Sequence, residues 1–243
     1  TVLVSPRPGF TRKLAYFVTD YGSIHRKFTL DGKSVTAPAG VAHYLEHKLF
    51  DMPQEDVTQE FAALGANPNA FTSYDLTAYY FTCTEHFYEN LELLLQYVST
   101  PYFTEASVAK EQGIIGQEIG MIEDDPDWKV TTNLFAALYR HHPIRVSVAG
   151  SVESISHITP ELLYRCYEQY YNLHNMVLAV TGNVTCEQVE SVADRLLQPC
   201  EENIPMRAAV NEPREAAQAR IEERMPVAVP LFYIGYKAPV STD

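Results

Sequence analysis

Positive charge is scarce in this chain. Lys and Arg number 18 against 31 Asp and Glu over 243 residues, for a formal net charge of −13. That balance disfavours nucleic acid and anionic membranes as partners, because phosphates gather basic surfaces. It mildly favours cationic or unfolded basic peptides, although acidity also serves solubility alone. Long apolar runs are missing as well. No apolar stretch reaches the ~18 residues that a membrane-spanning helix needs. Cysteine is sparse: Cys83, Cys166, Cys186 and Cys200 form no C-x-x-C pair and follow no disulfide-framework spacing. Reduced thiols in a cytoplasmic protein are the simplest reading. The start, TVLVSPRPGF, has no initiator Met and no signal-peptide pattern, and reads as a trimmed boundary. No short repeat or low-complexity tract stands out. A hydrophobic content of 46% supports a proper core, and the length suits one large domain or one and a half small ones.

What is present is concentrated in Gly40–Phe50, GVAHYLEHKLF, where His43, Glu46 and His47 stand in the order H-x-x-E-H. Histidines four apart share one face of a helix, one turn from each other, so both imidazoles can reach one metal ion. Glu46 falls beside them, close enough to hold a proton for water without being a ligand. This is the zincin order reversed, the inverzincin signature, and it points to a zinc enzyme that activates water for hydrolysis. Three fixed positions in five also arise by chance on a solvated helix. The flanks argue against that: Val41, Ala42, Leu45, Leu49 and Phe50 are apolar. A buried helix would strand two histidines and a glutamate at high desolvation cost unless a partner such as a metal met them.

Around the motif the pattern alternates strands and helices. Lys13–Thr19 and Ile24–Phe28 read as two strands joined through Tyr21-Gly22. A loop with Asp31-Gly32 and Pro38 leads into the motif helix, about 39–50. Asp56 or its neighbours start a second helix that ends at Gly65. Strand-like runs follow at Ala66–Thr72 and Leu76–Thr82, connected by Ser73-Tyr74-Asp75. Helices are expected at about 85–98, from a Thr104 cap to about Glu123, at 127–139, from Thr159-Pro160 to about Tyr171, and over Thr185–Leu197. Met176–Thr181 is an apolar strand. Residues 200–218 resemble a linker, and Val227–Lys237 looks like strands that belong to something further on. The order predicts an α+β layered fold with a largely antiparallel sheet packed against helices.

A catalytic zinc site usually takes three protein ligands, and the motif supplies two. The long helix after Thr104 offers Glu105, Glu111, Glu118 and Glu123. At ~100° per residue, Val108, Ile114, Ile115, Ile119 and Ile122 define its apolar face. Glu111 and Glu118 fall within that face and, seven apart, point the same way to within about 20°. Glu105 and Glu123 fall off it. Glu118 as a ligand, with Glu111 orienting a ligand from behind, explains two carboxylates there. A structural Glu–Lys or Glu–His pair is the alternative, stronger for Glu111 than for Glu118.

With H-x-x-E-H followed by E-x6-E on a long helix, the chain resembles the pitrilysin (insulinase) family of zinc peptidases. GANPNAFTSYDLTAYYF, residues 65–81, is similar to that family's strand pair beside the metal, and YFTEASVAKEQGIIGQE, residues 102–118, to its glutamate helix. The match covers roughly residues 10–195 and is closest to the shorter bacterial cytosolic members. The interval of 71 residues from His47 to Glu118 is a few shorter than in the larger members, which reads as a trimmed loop.

The resemblance implies a half-domain like that of mitochondrial processing peptidase. One Zn2+ ion would be held by His43, His47 and Glu118, with Glu46 as general base and Glu111 supporting the site. Asn69, Ala70, Phe71 and Thr72 would lie on the edge strand that takes an extended peptide, although Asn69 beside Pro68 is also an ordinary turn residue. It implies a domain over 1–199, a linker over 200–219, and at 220–243 the opening of a second homologous domain. The partners would be a peptide or unfolded polypeptide, the second half of the same protein, and a homodimer or a homologous subunit; no nucleic acid or membrane is expected. Two rivals remain: a non-catalytic partner subunit, which would typically lose the motif, and a different metal hydrolase or lyase. S-ribosylhomocysteine lyase carries H-x-x-E-H with a cysteine as third ligand, but Cys83 and Cys166 lack its surrounding pattern. His141-His142 read as helix-end residues.

Overall fold

The computed structural model describes residues 1–30, 33–51, 57–202, 205 and 209–238. In chain order its strands are β1 (Val2–Pro6), β2 (Lys13–Thr19), β3 (Lys27–Leu30), β4 (Lys33–Thr36), β5 (Asn67–Thr72), β6 (Thr77–Cys83) and β7 (Met176–Gly182). Its helices are α1 (Val41–Leu49), α2 (Val57–Ala63), α3 (Phe87–Ser99), α4 (Glu105–Asp124), α5 (Pro126–Leu138), α6 (Val152–Ile155), α7 (Pro160–Tyr170) and α8 (Cys186–Leu196).

One sheet in the order β1-β7-β2-β6-β5 organises the fold. Only the outer β1–β7 pair is parallel; β7–β2, β2–β6 and β6–β5 are antiparallel. The α+β layered architecture expected from the sequence is the observed one. β2 and β7 alternate in burial, as period two requires, and β6 does so from Tyr79 on, its start being buried on both faces. Ala15, Phe17, Tyr79, Phe81, Leu178 and Val180 turn inward into the core, which they share with Leu91, Leu94, Leu95 and Val98 of α3. Among the described residues no strand pairs with the outer side of β5, and its residues alternate between exposed and half-buried.

Helix boundaries follow local chemistry. Thr104 and Ser107 form a reciprocal capping box at the start of α4. Asp125 ends α4 and caps α5 in turn, accepting from the N–H groups of Asp127 and Trp128, with Pro126 at the first helical position. Thr159 caps α7 in the same way ahead of Pro160. Gly65, at φ +70°, ends the turn after α2; Asp56, the expected start of that helix, lies outside the described residues, as do Asp31 and Gly32.

Four expectations are corrected. β2 does not form a hairpin with a strand at Ile24–Phe28. After Tyr21 the chain leaves the sheet and docks on the β5–β6 turn: Ser23 N–H donates to the Ser73 carbonyl at 3.1 Å and Ile24 N–H to that of Tyr74 at 2.9 Å. A Cβ on Gly22 would stand 2.5 Å from the backbone of Tyr74 and Asp75, so glycine permits this approach. The strand begins at Lys27 and pairs with β4 in a separate ribbon. β1, unforeseen, adds to the sheet beside β7. Residues Val227–Lys237 carry no strand and lie along α5 instead. Ile114 is off the apolar face of α4, 47% exposed, because it precedes buried Ile115 by one residue and so is turned by ~100°.

The approach to α1 is held by a close backbone crossing. A Cβ on Gly40, at φ +91°, would meet the Ala149 carbonyl oxygen at 2.5 Å, and one on Gly150, at φ +76°, would meet that of Ala39 at 2.5 Å. The Ser154 hydroxyl donates to the same Ala39 carbonyl at 2.9 Å. These contacts fix where α1 begins, and so where its first-turn histidine points.

Candidate metal centre

α1 buries Val41, Ala42, His43, Tyr44, Leu45, Lys48 and Leu49, and its His43, Glu46 and His47 meet α4 and β5. The Tyr44 hydroxyl donates to the Val108 carbonyl and clamps α1 to α4 near the latter's start. One turn separates the two histidines, and their ring centroids lie 4.6 Å apart.

Across the gap, Glu118 reaches both rings. Its Oε1 is 3.4 Å from His43 Nε2 and its Oε2 is 3.2 Å from His47 Nε2. Glu111, two turns earlier on α4, places Oε1 2.9 Å from His47 Nδ1. A carboxylate only accepts, so Nδ1 of His47 carries the proton that makes this bond. In the neutral ring that leaves the Nε2 lone pair free to bind a cation. His43 Nδ1 is buried and has no hydrogen-bond partner among the described residues. The wheel expectation for α4 is met in these contacts: Glu111 and Glu118 face α1, while Glu105 and Glu123 are exposed.

Glu46 sits between α1 and β5. Its Oε2 accepts from the Thr72 hydroxyl at 3.0 Å. Burial pushes its pKa up, and the neighbouring imidazoles of His43 and His47 pull in the opposite direction without overcoming it. For His47, burial works downward, but the hydrogen bonds to Glu111 and Glu118 outweigh it and raise the pKa to about 10. Glu118 is held well below the ordinary carboxylate range by its hydrogen bonds to His43 and His47.

The ligand atoms of His43, His47 and Glu118 lie within 4.8 Å of one another, and these three are the group of this kind found among the described residues. Two imidazole nitrogens and one carboxylate oxygen, with a carboxylate behind one imidazole, form a donor set that fits zinc and a catalytic site. Cys83 and Cys166 lie buried elsewhere in the core. His142 belongs to a turn, its Nδ1 accepting from Ile144 N–H.

The strand residues named from the sequence divide between two sides. Thr72 touches Glu46; Asn69 and Phe71 face out from the edge. The Asn69 Oδ1 accepts from the Ala70 N–H at 2.8 Å. Sequence reasoning missed the Thr72–Glu46 bond and the Tyr44 clamp. The strand alternation that puts 68, 70 and 72 on one face was the available signal for the first; nothing in the sequence marks the second.

A three-residue group able to hold a metal ion, on an α+β layered scaffold, is what these features define. The chain belongs to the insulinase family of peptidases, M16. The family model for the M16 insulinase peptidase matches residues 35–152, and that for the M16 inactive domain matches residues 157–242. Among curated proteins, the chain is 50% identical over 192 residues to the uncharacterized zinc protease YmfH of Bacillus subtilis, covering 78% of this chain and 45% of that one. It is 33% identical over 159 residues to an uncharacterized zinc protease of Mycobacterium leprae, covering 62% and 35%. The chain thus spans less than half the length of these relatives. Among solved structures, an M16-like peptidase from Alicyclobacillus acidocaldarius superposes with a TM-score of 0.89 at 39% identity, over 93% of this chain and 54% of that one. A protease from Helicobacter pylori shares the fold, with a TM-score of 0.76 at 22% identity over 88% and 52%. No helix among the described residues is long and apolar enough to cross a membrane.

Proposed function

We propose that the protein is a zinc-dependent endopeptidase that hydrolyses extended peptides. The observation that carries this reading is the convergence of His43, His47 and Glu118 beside a separate, half-buried Glu46. His43, His47 and Glu118 would hold one zinc ion, and Glu111 would fix the His47 tautomer through Nδ1. Zinc in such a site acidifies bound water and polarises a carbonyl.

Glu46 is the general base. It takes a proton as water oxygen attacks the scissile carbonyl carbon, then delivers that proton to the amine nitrogen as the C–N bond breaks. The products are a carboxylate and an amine. Burial of Glu46 raises its pKa and with it its strength as a base. The outer edge of β5, at Asn69, Ala70, Phe71 and Thr72, takes the peptide as an added strand. Main-chain pairing fixes register with little demand on sequence.

In this reading residues 1–199 form one zinc-binding unit, supported by the place of β7 between β1 and β2 in the sheet. Residues 200–219 are a linker, and 220–243 open a second homologous domain that completes the peptide chamber. Self-association or pairing with a homologous subunit belongs to the same reading, as does a cytoplasmic location, which four unpaired thiols support.

The test is cleavage of an unstructured peptide by zinc-loaded protein, with Glu46→Gln alongside. The variant should keep its zinc and lose turnover by about 10²-fold or more. Full turnover in a zinc-loaded Glu46→Gln protein would rule the assignment out.

A further inference from the structure

The side of β5 turned toward α1 carries Pro68, Ala70 and Thr72, and the exposed side carries Asn67, Asn69 and Phe71. Thr72 ends the inner row, with Oγ1 3.0 Å from Glu46 Oε2. Directly across the last rung of the β5–β6 ladder stands Thr77, fully buried, with its Oγ1 3.4 Å from that of Thr72. The next strand continues the row with Thr19, opposite Thr77.

Each hydroxyl has one hydrogen to give. That of Thr19 goes to the Tyr170 carbonyl at 2.6 Å, and that of Thr77 to the Tyr21 carbonyl at 2.8 Å. Toward Thr72, therefore, Thr77 presents only lone pairs. The Thr72 hydrogen has two acceptors, a carboxylate at 3.0 Å and a neutral hydroxyl at 3.4 Å. The shorter, charge-assisted contact wins, being roughly twice as strong as a neutral one. The β-branched Thr72 side chain is stiff at χ1, whereas Glu46 has several rotatable bonds to restrain.

The geometry points to Thr72 as the residue that positions Glu46, with Thr77 behind it. Oε2 is tied to Thr72, so Oε1 is the oxygen left to exchange protons. This rests on Glu46 being the general base. It assigns the Thr72 side chain to the base and leaves only its backbone to a peptide on the edge.

The test uses Thr72→Val, which keeps the shape and removes the hydroxyl, and Thr72→Ser, which restores it. Two readouts are taken. One is the rotameric order of Glu46 in metal-free protein, from side-chain couplings measured by NMR. The other is kcat, KM and zinc content of the zinc-loaded full-length protein. In Thr72→Val, Glu46 should average over rotamers and kcat should fall about 10-fold, with KM and zinc content unchanged; Thr72→Ser should recover both. A Glu46 that stays ordered in Thr72→Val, or equal losses in Val and Ser, overturns the proposal. A wild-type protein that binds zinc and cleaves no peptide refutes the general-base reading, while the NMR comparison still decides whether Thr72 orders Glu46. If Thr72→Val does not fold, Thr72→Ala at the same edge position gives the same readouts.

Discussion

Glu118 Oε2 lies 3.2 Å from Nε2 of His47, whose other nitrogen, Nδ1, lies 2.9 Å from Glu111 Oε1. One imidazole is thus gripped at both nitrogens by two carboxylates of one helix, seven residues apart. The two have different duties in the zinc site proposed here, and substitution should separate them. Glu118→Gln should abolish stable zinc retention. Glu111→Gln should keep the ion but weaken it by about 10–100-fold, the usual effect of losing a partner behind a ligating histidine. Competition with a chelator, read by elemental analysis, measures both. Equal retention in wild type and Glu118→Gln would remove Glu118 from the ligand set.

The Gly40–Ala149 crossing makes a stability prediction. Gly40→Ala forces a Cβ to 2.5 Å from a carbonyl oxygen at a left-handed φ, and should cost about 1–3 kcal/mol. Gly113→Ala is its control. A Cβ there meets nothing within 4 Å in the interior of α4, so the change should stabilise by about 0.5–1 kcal/mol. Denaturant unfolding of the two variants should shift in opposite directions; a shared direction would refute the packing account.

Stability should also fall on mild acidification. His25 is buried beside Tyr21 and Tyr170, and its Nδ1 accepts from Gly22 N–H at 3.0 Å. Burial lowers its pKa below the ordinary 6.5, with the Asp75 carboxylate pulling the other way. The unfolded chain therefore binds the extra proton first as pH falls. The contribution is complete above the unfolded pKa and is lost as pH drops below it. Between pH 7 and 5 the melting temperature should decline less steeply in His25→Gln than in wild type. Identical slopes would show that His25 does not carry the effect.

One carboxylate ties several parts of the C-terminal segment to the end of α5. Glu212 accepts from the N–H groups of Arg140, His141 and His142 at 2.8, 2.7 and 2.7 Å, and pairs with Lys237 at 2.7 Å. Lys237 in turn donates to the carbonyls of Pro213 and Glu215. Glu212→Ala should open residues 213–238 to limited proteolysis and leave the melting of the sheet unchanged. An unaltered cleavage pattern would mean that the apolar contacts along α5, with the Gln218–Ala137 and Asn133–Glu223 hydrogen bonds, hold the segment without Glu212.

The motif histidines, the glutamate helix and the β5 strand were legible because each rests on local periodicity, while the place of β5 at the sheet edge came from the family resemblance. Two histidines one turn apart and two glutamates two turns apart need no tertiary information to be placed on a face. Thr104, Asp125 and Thr159 marked their helices because capping is likewise local chemistry. What failed depended on distant partners. Val2–Pro6 becomes a strand only because β7 offers it a parallel edge. The turn at Tyr21-Gly22 looked like a hairpin, and the backbone of Tyr74 and Asp75 decides that it is a docking contact. Val227–Lys237 has strand-like composition but finds no ladder among the described residues. Ile114 is the exception, a local miss: it stands one residue, or ~100°, before buried Ile115 and so cannot share its face.

Zinc-edge anomalous diffraction from crystals of the zinc-loaded protein tests the central claim most directly. The account predicts one anomalous peak, ligated by His43, His47 and Glu118, with Glu46 nearby but not bound to the ion. A peak held by other residues, or none at this site in protein shown to contain zinc, would contradict it.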